Sequence, residues 1–222
     1  MYEYIPKVDM EDEPGSDNTW ISWFCELEGH EFFCAVDEDY IADNFNLYGL
    51  RSIVPKYPEA LNMILNPRAP TFDDFGDLDF CEVYQSAFDL YGLIHSRFIL
   101  TPRGLEIMKY KYVAGIFGVC PRTLCQGQST LPIGLSDELN KYRVKIYCPK
   151  CEDVYHPKLK KELDGVYFGT AFPHMFLQMY PELVPKEGAV PFIPRIYGFR
   201  IYRQRGSKYQ VGSTYNTINT SN

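Results

Sequence analysis

Cys120-Pro-Arg-Thr-Leu-Cys125, then 22 residues, then Cys148-Pro-Lys-Cys151, is the stretch on which the fold turns. Each cysteine pair is spaced to wrap one turn of backbone around a metal ion. The long intervening loop lets the two pairs meet as four tetrahedral thiolates. Proline follows the first cysteine of each pair and narrows the backbone choices of each knuckle before metal arrives. The competing readings are unlinked thiols or two disulfides. The paired spacing, together with an odd total of seven cysteines, favours one structural Zn2+ per chain held by Cys120, Cys125, Cys148 and Cys151. Four thiolates leave no open coordination position, so such a site holds structure and performs no chemistry. A metallohydrolase is thereby set aside.

The rest of the composition bounds the surroundings. The 222 residues are 45% hydrophobic and 16% aromatic, enough for a sizeable core in one large or two small domains. The acidic opening, Met1-Tyr-Glu-Tyr-Ile-Pro-Lys-Val-Asp-Met10, lacks the basic-then-apolar pattern of a secretory signal, and no apolar run reaches the ~18 residues of a membrane span. A cytoplasmic and nuclear protein with no membrane partner is the expectation. Residues 1–100 carry 5 Lys and Arg against 20 Asp and Glu, a net of −15, whereas residues 101–222 carry 17 against 9, a net of +8. An acidic front and a basic rear imply surfaces with different partners, the front suited to basic peptides or polyamines.

Along the chain, residues 1–19 read as a disordered acidic arm. Order is expected from Trp20-Ile-Ser-Trp-Phe-Cys25, with Cys25, His30 and Cys34 as ordinary core residues rather than ligands. Asp37 is placed to cap a short helix whose buried face is Tyr40, Ile41, Phe45 and Leu47, and Pro58 to open another through Ala60, Leu61, Ile64 and Leu65. A loop with Asp73, Asp74, Asp77 and Asp79 follows. Its Asp74-Phe75-Gly76 imitates a kinase magnesium motif, but no glycine-rich loop, strand lysine or His-Arg-Asp loop accompanies it. Val83, Ala87, Leu90, Tyr91, Ile94 and Phe98 recur at helical spacing from Cys81 to Leu100, with His95 a core or boundary residue beside them. Thr101-Pro102 reads as a cap and first turn. Beyond Gly115 the pattern becomes that of a ribbon: Leu131-Pro-Ile-Gly-Leu135 as a bend and Lys141 to Tyr147 as a strand. A helix after Pro173 and an alternating apolar strand from Pro194 to Tyr202 complete the ordered part. That strand can either cover its own body or extend a partner's sheet.

Taken together, Trp20-Ile-Ser-Trp-Phe-Cys25, Glu31-Phe-Phe-Cys34, Leu90-Tyr-Gly-Leu-Ile-His95, Leu131-Pro-Ile-Gly-Leu-Ser-Asp137, Tyr147-Cys-Pro-Lys-Cys151, Phe172-Pro-His-Met175 and Pro194-Arg-Ile-Tyr-Gly-Phe199 resemble the regulatory beta subunit family of casein kinase II. The resemblance runs from about Trp20 to Tyr202. It implies a non-catalytic α+β chain, with an N-terminal all-helical domain at 20–113, acidic loop included, and a zinc-ribbon dimerisation domain at 114–160 with a small antiparallel sheet. An extended segment at 161–202 would dock the catalytic alpha subunit, two of which bind per homodimer, and 203–222 would form a disordered tail. By position, Pro121 and Val154 fall at the dimer patch. Tyr197 and Phe199 are the docking anchors, with Met175 a lesser contact. Asp73, Asp74, Asp77 and Asp79 stand where the family gathers acids for basic protein substrates or polyamines, here diluted by Phe72, Phe75, Pro67 and Arg68. The family's amino-terminal serine cluster is missing, as is an Arg-x-x-Leu element, with Pro58 at the arginine position. The reading from another class, a zinc-ribbon nucleic-acid-binding factor, is disfavoured. Between Gly118 and Pro157 five Lys and Arg face four Asp and Glu, too even a balance to attract phosphates.

Overall fold

A computed structural model describes residues 19–200, so the arm before Thr19 and the tail expected at 203–222, with Ile201 and Tyr202, lie outside the described residues. The chain is α+β and falls into two units, one reaching Ile94 and the other starting at His95. Since α5 belongs to the second unit, this division falls ahead of the 113/114 boundary drawn from sequence.

The first unit is built on aromatic burial. Helix α1 (Trp20–Glu26) is only seven residues long, too short to persist alone, and Thr19 caps it by accepting from the Ser22 amide at 3.3 Å. Packing holds it. Trp20 stacks on Phe24 at 4.6 Å, and Tyr91 meets Phe24 edge-on at 4.9 Å. The Tyr91 hydroxyl donates to the Cys34 carbonyl (2.9 Å) and accepts from the Val36 amide (3.1 Å), while His30 Nδ1 bonds the Phe24 carbonyl. Cys34 and His30 are thus core residues, as their setting suggested.

In α2 (Glu38–Ala42) Asp37 occupies the cap position, but its side chain makes no capping bond, and Ile41 is the buried residue. Phe45, expected inside, is 84% exposed. The helix ends at Ala42, and the Asp43 carboxylate takes the Phe45 amide in a local turn that points the ring outward. Helix α3 (Tyr57–Ile64) has Pro58 in its first turn and buries Ala60 and Ile64. Helix α4 (Leu78–Phe98) starts three residues ahead of the Cys81 boundary expected for it.

The second unit begins with the end of α4 and with α5 (Pro102–Val113), whose Thr101 cap accepts from the Gly104 amide at 3.1 Å. Gly104 is required there, because a Cβ would sit 2.1 Å from the Phe98 carbonyl oxygen. Strands β1 (Leu131–Ile133), β2 (Lys145–Cys148) and β3 (Asp153–Tyr155) form an antiparallel sheet in the order β1-β2-β3, with Leu131 opposite Tyr147 and Cys148 opposite Asp153. The bend expected at Leu131–Leu135 is therefore a strand. Pro132 is tolerated because β1 is an edge strand, where a missing amide donor costs nothing on the open side. The strand expected over 141–147 is shorter, since Tyr142 and Val144 pair instead with Gly165 and Leu163. Gly134 and Gly165 meet backbone to backbone; a Cβ on Gly134 would lie 2.4 Å from the Gly165 oxygen. Helix α6 (Phe172–Met179) packs on β1, and Leu131, Ile146, Leu163, Phe168, Phe172 and Phe176 form the core. His95 is buried in this unit, its Nδ1–H 2.7 Å from the Tyr167 carbonyl oxygen, and burial lowers its pKa to about 4.

Candidate metal centre and exposed contact residues

The two knuckles are shaped by backbone bonds that surround them. Around the first, the Cys120 amide bonds the Gln128 carbonyl and the Thr130 amide bonds that of Gly118, closing a narrow loop. Within it, Thr123–Cys125 make one 3₁₀ turn, and Gln126 and Gly127, both at positive φ, bring the chain back. The second knuckle caps the β2–β3 hairpin. The Glu152 amide bonds the Cys148 carbonyl, and Glu152 at φ 55° turns the chain into β3.

These two loops bring Cys120, Cys125, Cys148 and Cys151 together with all four Sγ atoms within 4.8 Å of one another, every one buried and none in a disulfide. A tetrahedral zinc with bonds of about 2.3 Å requires sulfur–sulfur edges of about 3.8 Å; Cys120 Sγ and Cys151 Sγ lie 3.9 Å apart. The donor set therefore fits a thiolate-bound metal ion. Among the described residues no other three His, Cys, Asp or Glu side chains gather in this way.

Electrostatics point in the same direction. Burial pushes the Cys120 thiol up to about 11 and Cys148 higher still. Burial also acts on Cys151, but hydrogen bonds from Tyr155 and the neighbouring cysteines carry it below the ordinary thiol value. Four buried thiolates without a cation would repel one another, so a divalent ion is what lets the set ionise.

Three neighbours escaped the sequence reading. The Tyr155 hydroxyl lies 3.3 Å from Cys151 Sγ, and burial followed by that same contact raises its own pKa, so it remains a proton donor. Arg122 reaches Cys125 Sγ at 3.9 Å and donates to the Val190 carbonyl at 2.8 Å. Ala189 packs on the cysteine cluster, and its amide bonds the Lys150 carbonyl. The Cys151/Tyr155 and Arg122/Cys125 spacings were the local signals available; the contacts of Val190 and Ala189 are long-range.

The remaining site residues are dispersed. Pro121 follows the first ligand and is exposed, and Val154 on β3 is 38% exposed. Met175 is exposed on α6. The strand expected from Pro194 to Tyr202 is instead a small hairpin, β4 (Arg195–Ile196) and β5 (Phe199–Arg200). Tyr197 and Gly198 at φ 48° and 85° make the two-residue turn whose twist matches a hairpin. Tyr197 is 97% and Phe199 77% exposed.

The loop acids are partly occupied by the fold itself. Asp74 accepts from both the amide and the hydroxyl of Thr71, which holds its carboxyl below the usual range. Asp77 accepts from the Asp79 amide. Asp79 pairs with Lys56, which also holds Glu82, and those two hydrogen bonds raise the lysine pKa. The Asp-Phe-Gly triplet lies in a capped 3₁₀ turn (Phe72–Gly76).

The chain is thus α+β, with four clustered buried cysteines that could hold a metal ion and with paired aromatics exposed on a hairpin. The family profile described as casein kinase II regulatory subunit matches residues 19–200. The putative casein kinase II subunit beta-4 of Arabidopsis thaliana is 49% identical over 199 residues, covering 89% of this chain and 70% of the relative. The casein kinase II subunit beta of Schizosaccharomyces pombe is 50% identical over 86% of this chain and 83% of its own length. The subunit beta' of Drosophila melanogaster is 52% identical over 84% and 85% respectively. The chain belongs to the casein kinase II regulatory subunit family, and as a regulatory subunit it is not itself the enzyme.

Proposed function

We propose that the chain is a zinc-dependent homodimer that binds two catalytic subunits of casein kinase II and sets their stability, activity and choice of substrate. In this reading Cys120, Cys125, Cys148 and Cys151 hold one structural Zn2+ per chain. The metal stiffens residues 114–160, so that Pro121 and Val154 can form part of an apolar patch between protomers. Residues 161–202 dock the catalytic chain, the helical residues 20–113 face substrate, and the protein works in cytoplasm and nucleus.

The observation that carries the proposal is the exposure of Tyr197 and Phe199 on a two-residue hairpin turn. Two large aromatic rings in water, on a backbone already fixed by pairing, are the make-up of a binding hot spot. Tyr197 holds a left-handed conformation that costs a non-glycine residue about 1 kcal/mol, a strain consistent with a residue selected for contact. The acids of the Asp73–Asp79 loop supply an attraction for basic substrates reduced by their internal bonds, with Asp73 and Asp77 the least occupied. Titration calorimetry with a purified catalytic subunit tests the docking assignment. Replacing Tyr197 and Phe199 together by alanine should weaken binding by about a hundredfold or more, since hot-spot truncations cost ≥ ~2 kcal/mol each. Undiminished affinity would overturn it.

A further inference from the structure

Strand β2 reaches the metal centre at Cys148, and its other end, at Lys145, carries a cluster of cations that the cysteines do not use. Residues 156–163 leave β3 and return to the same point of the chain. Lys145 Nζ lies 3.0 Å from Nδ1 and 2.9 Å from Nε2 of His156, and the Val144 amide bonds the Leu163 carbonyl at 2.9 Å. A loop pinned at both ends in this way reaches outward by at most ~14 Å, so its lysines stay beside Arg143 and Lys145. Pro157 and Leu159 are half-buried, while Lys158, Lys160 and Lys161 are exposed. Glu138 pairs with Lys141 at 3.0 Å and Glu162 with Arg143 at 3.3 Å, both in water, where such pairs hold weakly. Asp164 is buried, and its two oxygens accept from the Asn140 and Val166 amides, so its charge is turned inward. Lys141, Arg143, Lys145, Lys158, Lys160 and Lys161 thus stand against two outward acids, a net of +4. The even charge count between Gly118 and Pro157 stops one residue short of Lys158, and the fold joins the two sides of that boundary.

Two further observations say what kind of anion fits. Lys145 and His156 can both carry positive charge, they touch, and neither meets a carboxylate among the described residues. A phosphate oxygen set between them would accept from both. Between Lys141 and Arg143 the Tyr142 ring is 48% exposed, and the Gly165 amide fixes its carbonyl at 2.8 Å. An open aromatic ring on a fixed backbone, surrounded by cations, suits a strand whose phosphates meet lysines while a base stacks on the ring. An acidic peptide would use the charges and leave the ring idle, and a duplex keeps its base faces covered. We infer that this end of the second unit binds single-stranded nucleic acid, with Lys145, Lys158, Lys160 and Lys161 on phosphates and a base on Tyr142. The surface is separate from the metal centre and from the exposed hairpin, and it does not depend on kinase docking.

Fluorescence anisotropy of a labelled oligothymidylate of about twelve nucleotides, titrated with the full chain, tests this. Four phosphate contacts should make the affinity fall about 50-fold between ~50 and ~200 mM salt. The Lys158→Glu/Lys160→Glu/Lys161→Glu variant keeps one of those contacts, so it should bind more weakly and show only about a threefold salt effect. Tyr142→Ser should bind about tenfold more weakly with the salt effect unchanged, since stacking carries no counterion. Equal thermal midpoints show that each variant is folded, and Arg203→Gln/Arg205→Gln/Lys208→Gln, outside the described residues, should bind like the wild type. Absence of binding at ~50 mM salt, full binding by the triple lysine variant, or a loss confined to the Arg203, Arg205 and Lys208 variant would overturn the inference. So would polyglutamate or duplex DNA binding as tightly as the oligothymidylate with Tyr142→Ser without effect, which would mark a surface for acidic chains in general.

Discussion

Replacing Tyr155 by phenylalanine removes a single oxygen atom next to the proposed metal and nothing else. That hydroxyl lies 3.3 Å from Cys151 Sγ and is kept protonated by its surroundings, so it donates to the sulfur. A hydrogen bond to an ionised group contributes about 1.5–3 kcal/mol, and at 1.4 kcal/mol per factor of ten the metal should bind about 10–100-fold more weakly. The phenyl ring keeps its packing on the cysteine cluster, so the fold should survive. Competition against a chromophoric zinc chelator at neutral pH reads the affinity, and far-ultraviolet dichroism of the metal-loaded variant checks the fold. The loss should grow as pH falls, because Cys151 is the thiol that this bond helps to ionise. Equal affinity for wild type and Tyr155→Phe at every pH would refute the assignment of Tyr155 as a donor that orients and stabilises a ligand thiolate.

Other outcomes follow from the two cores. The buried His95 has its pKa lowered from 6.5 to about 4, so the unfolded chain takes up a proton that the folded chain refuses; stability is whole above about pH 6.5 and falls by about 3 kcal/mol toward pH 4, and urea titrations of wild type and His95→Gln should differ in that slope. Tyr91→Phe strips the Val36 amide of its acceptor inside the aromatic core and should cost about 2 kcal/mol in thermal unfolding. Gly104→Ala, ordinarily worth about 1 kcal/mol in favour of a helix, should instead destabilise by about 2 kcal/mol or more, because the new methyl collides with the Phe98 carbonyl.

How much of this was legible in the sequence depends on the range over which each feature is encoded. The cysteine pairs, the Thr101 cap with Pro102 and the apolar recurrence of α4 are local patterns, and they reappear as elements in the structure. Leu131-Pro-Ile-Gly-Leu135 reads as a bend, and only the strand order shows that Leu131–Ile133 lie on an open edge where a proline is tolerated. The segment at Pro194–Tyr202 reads as one strand from its alternation of large apolar and other residues, whereas the positive φ of both Tyr197 and Gly198 folds it in half. Phe45 was assigned inward by helical period, but the helix had already ended at Ala42. The neutralising of Asp79 by Lys56 spans 23 residues of chain, beyond any local rule.

The bonds from Arg122 to Val190 and from Ala189 to Lys150 carry one more consequence. They pin the backbone to both cysteine loops only a few residues ahead of the Arg195–Arg200 hairpin. Stripping the ion would slacken those loops and free the lead-in to the hairpin with them. Under the function proposed above, protomer pairing and kinase capture would then fail together, and metal supply would govern assembly as a single lever.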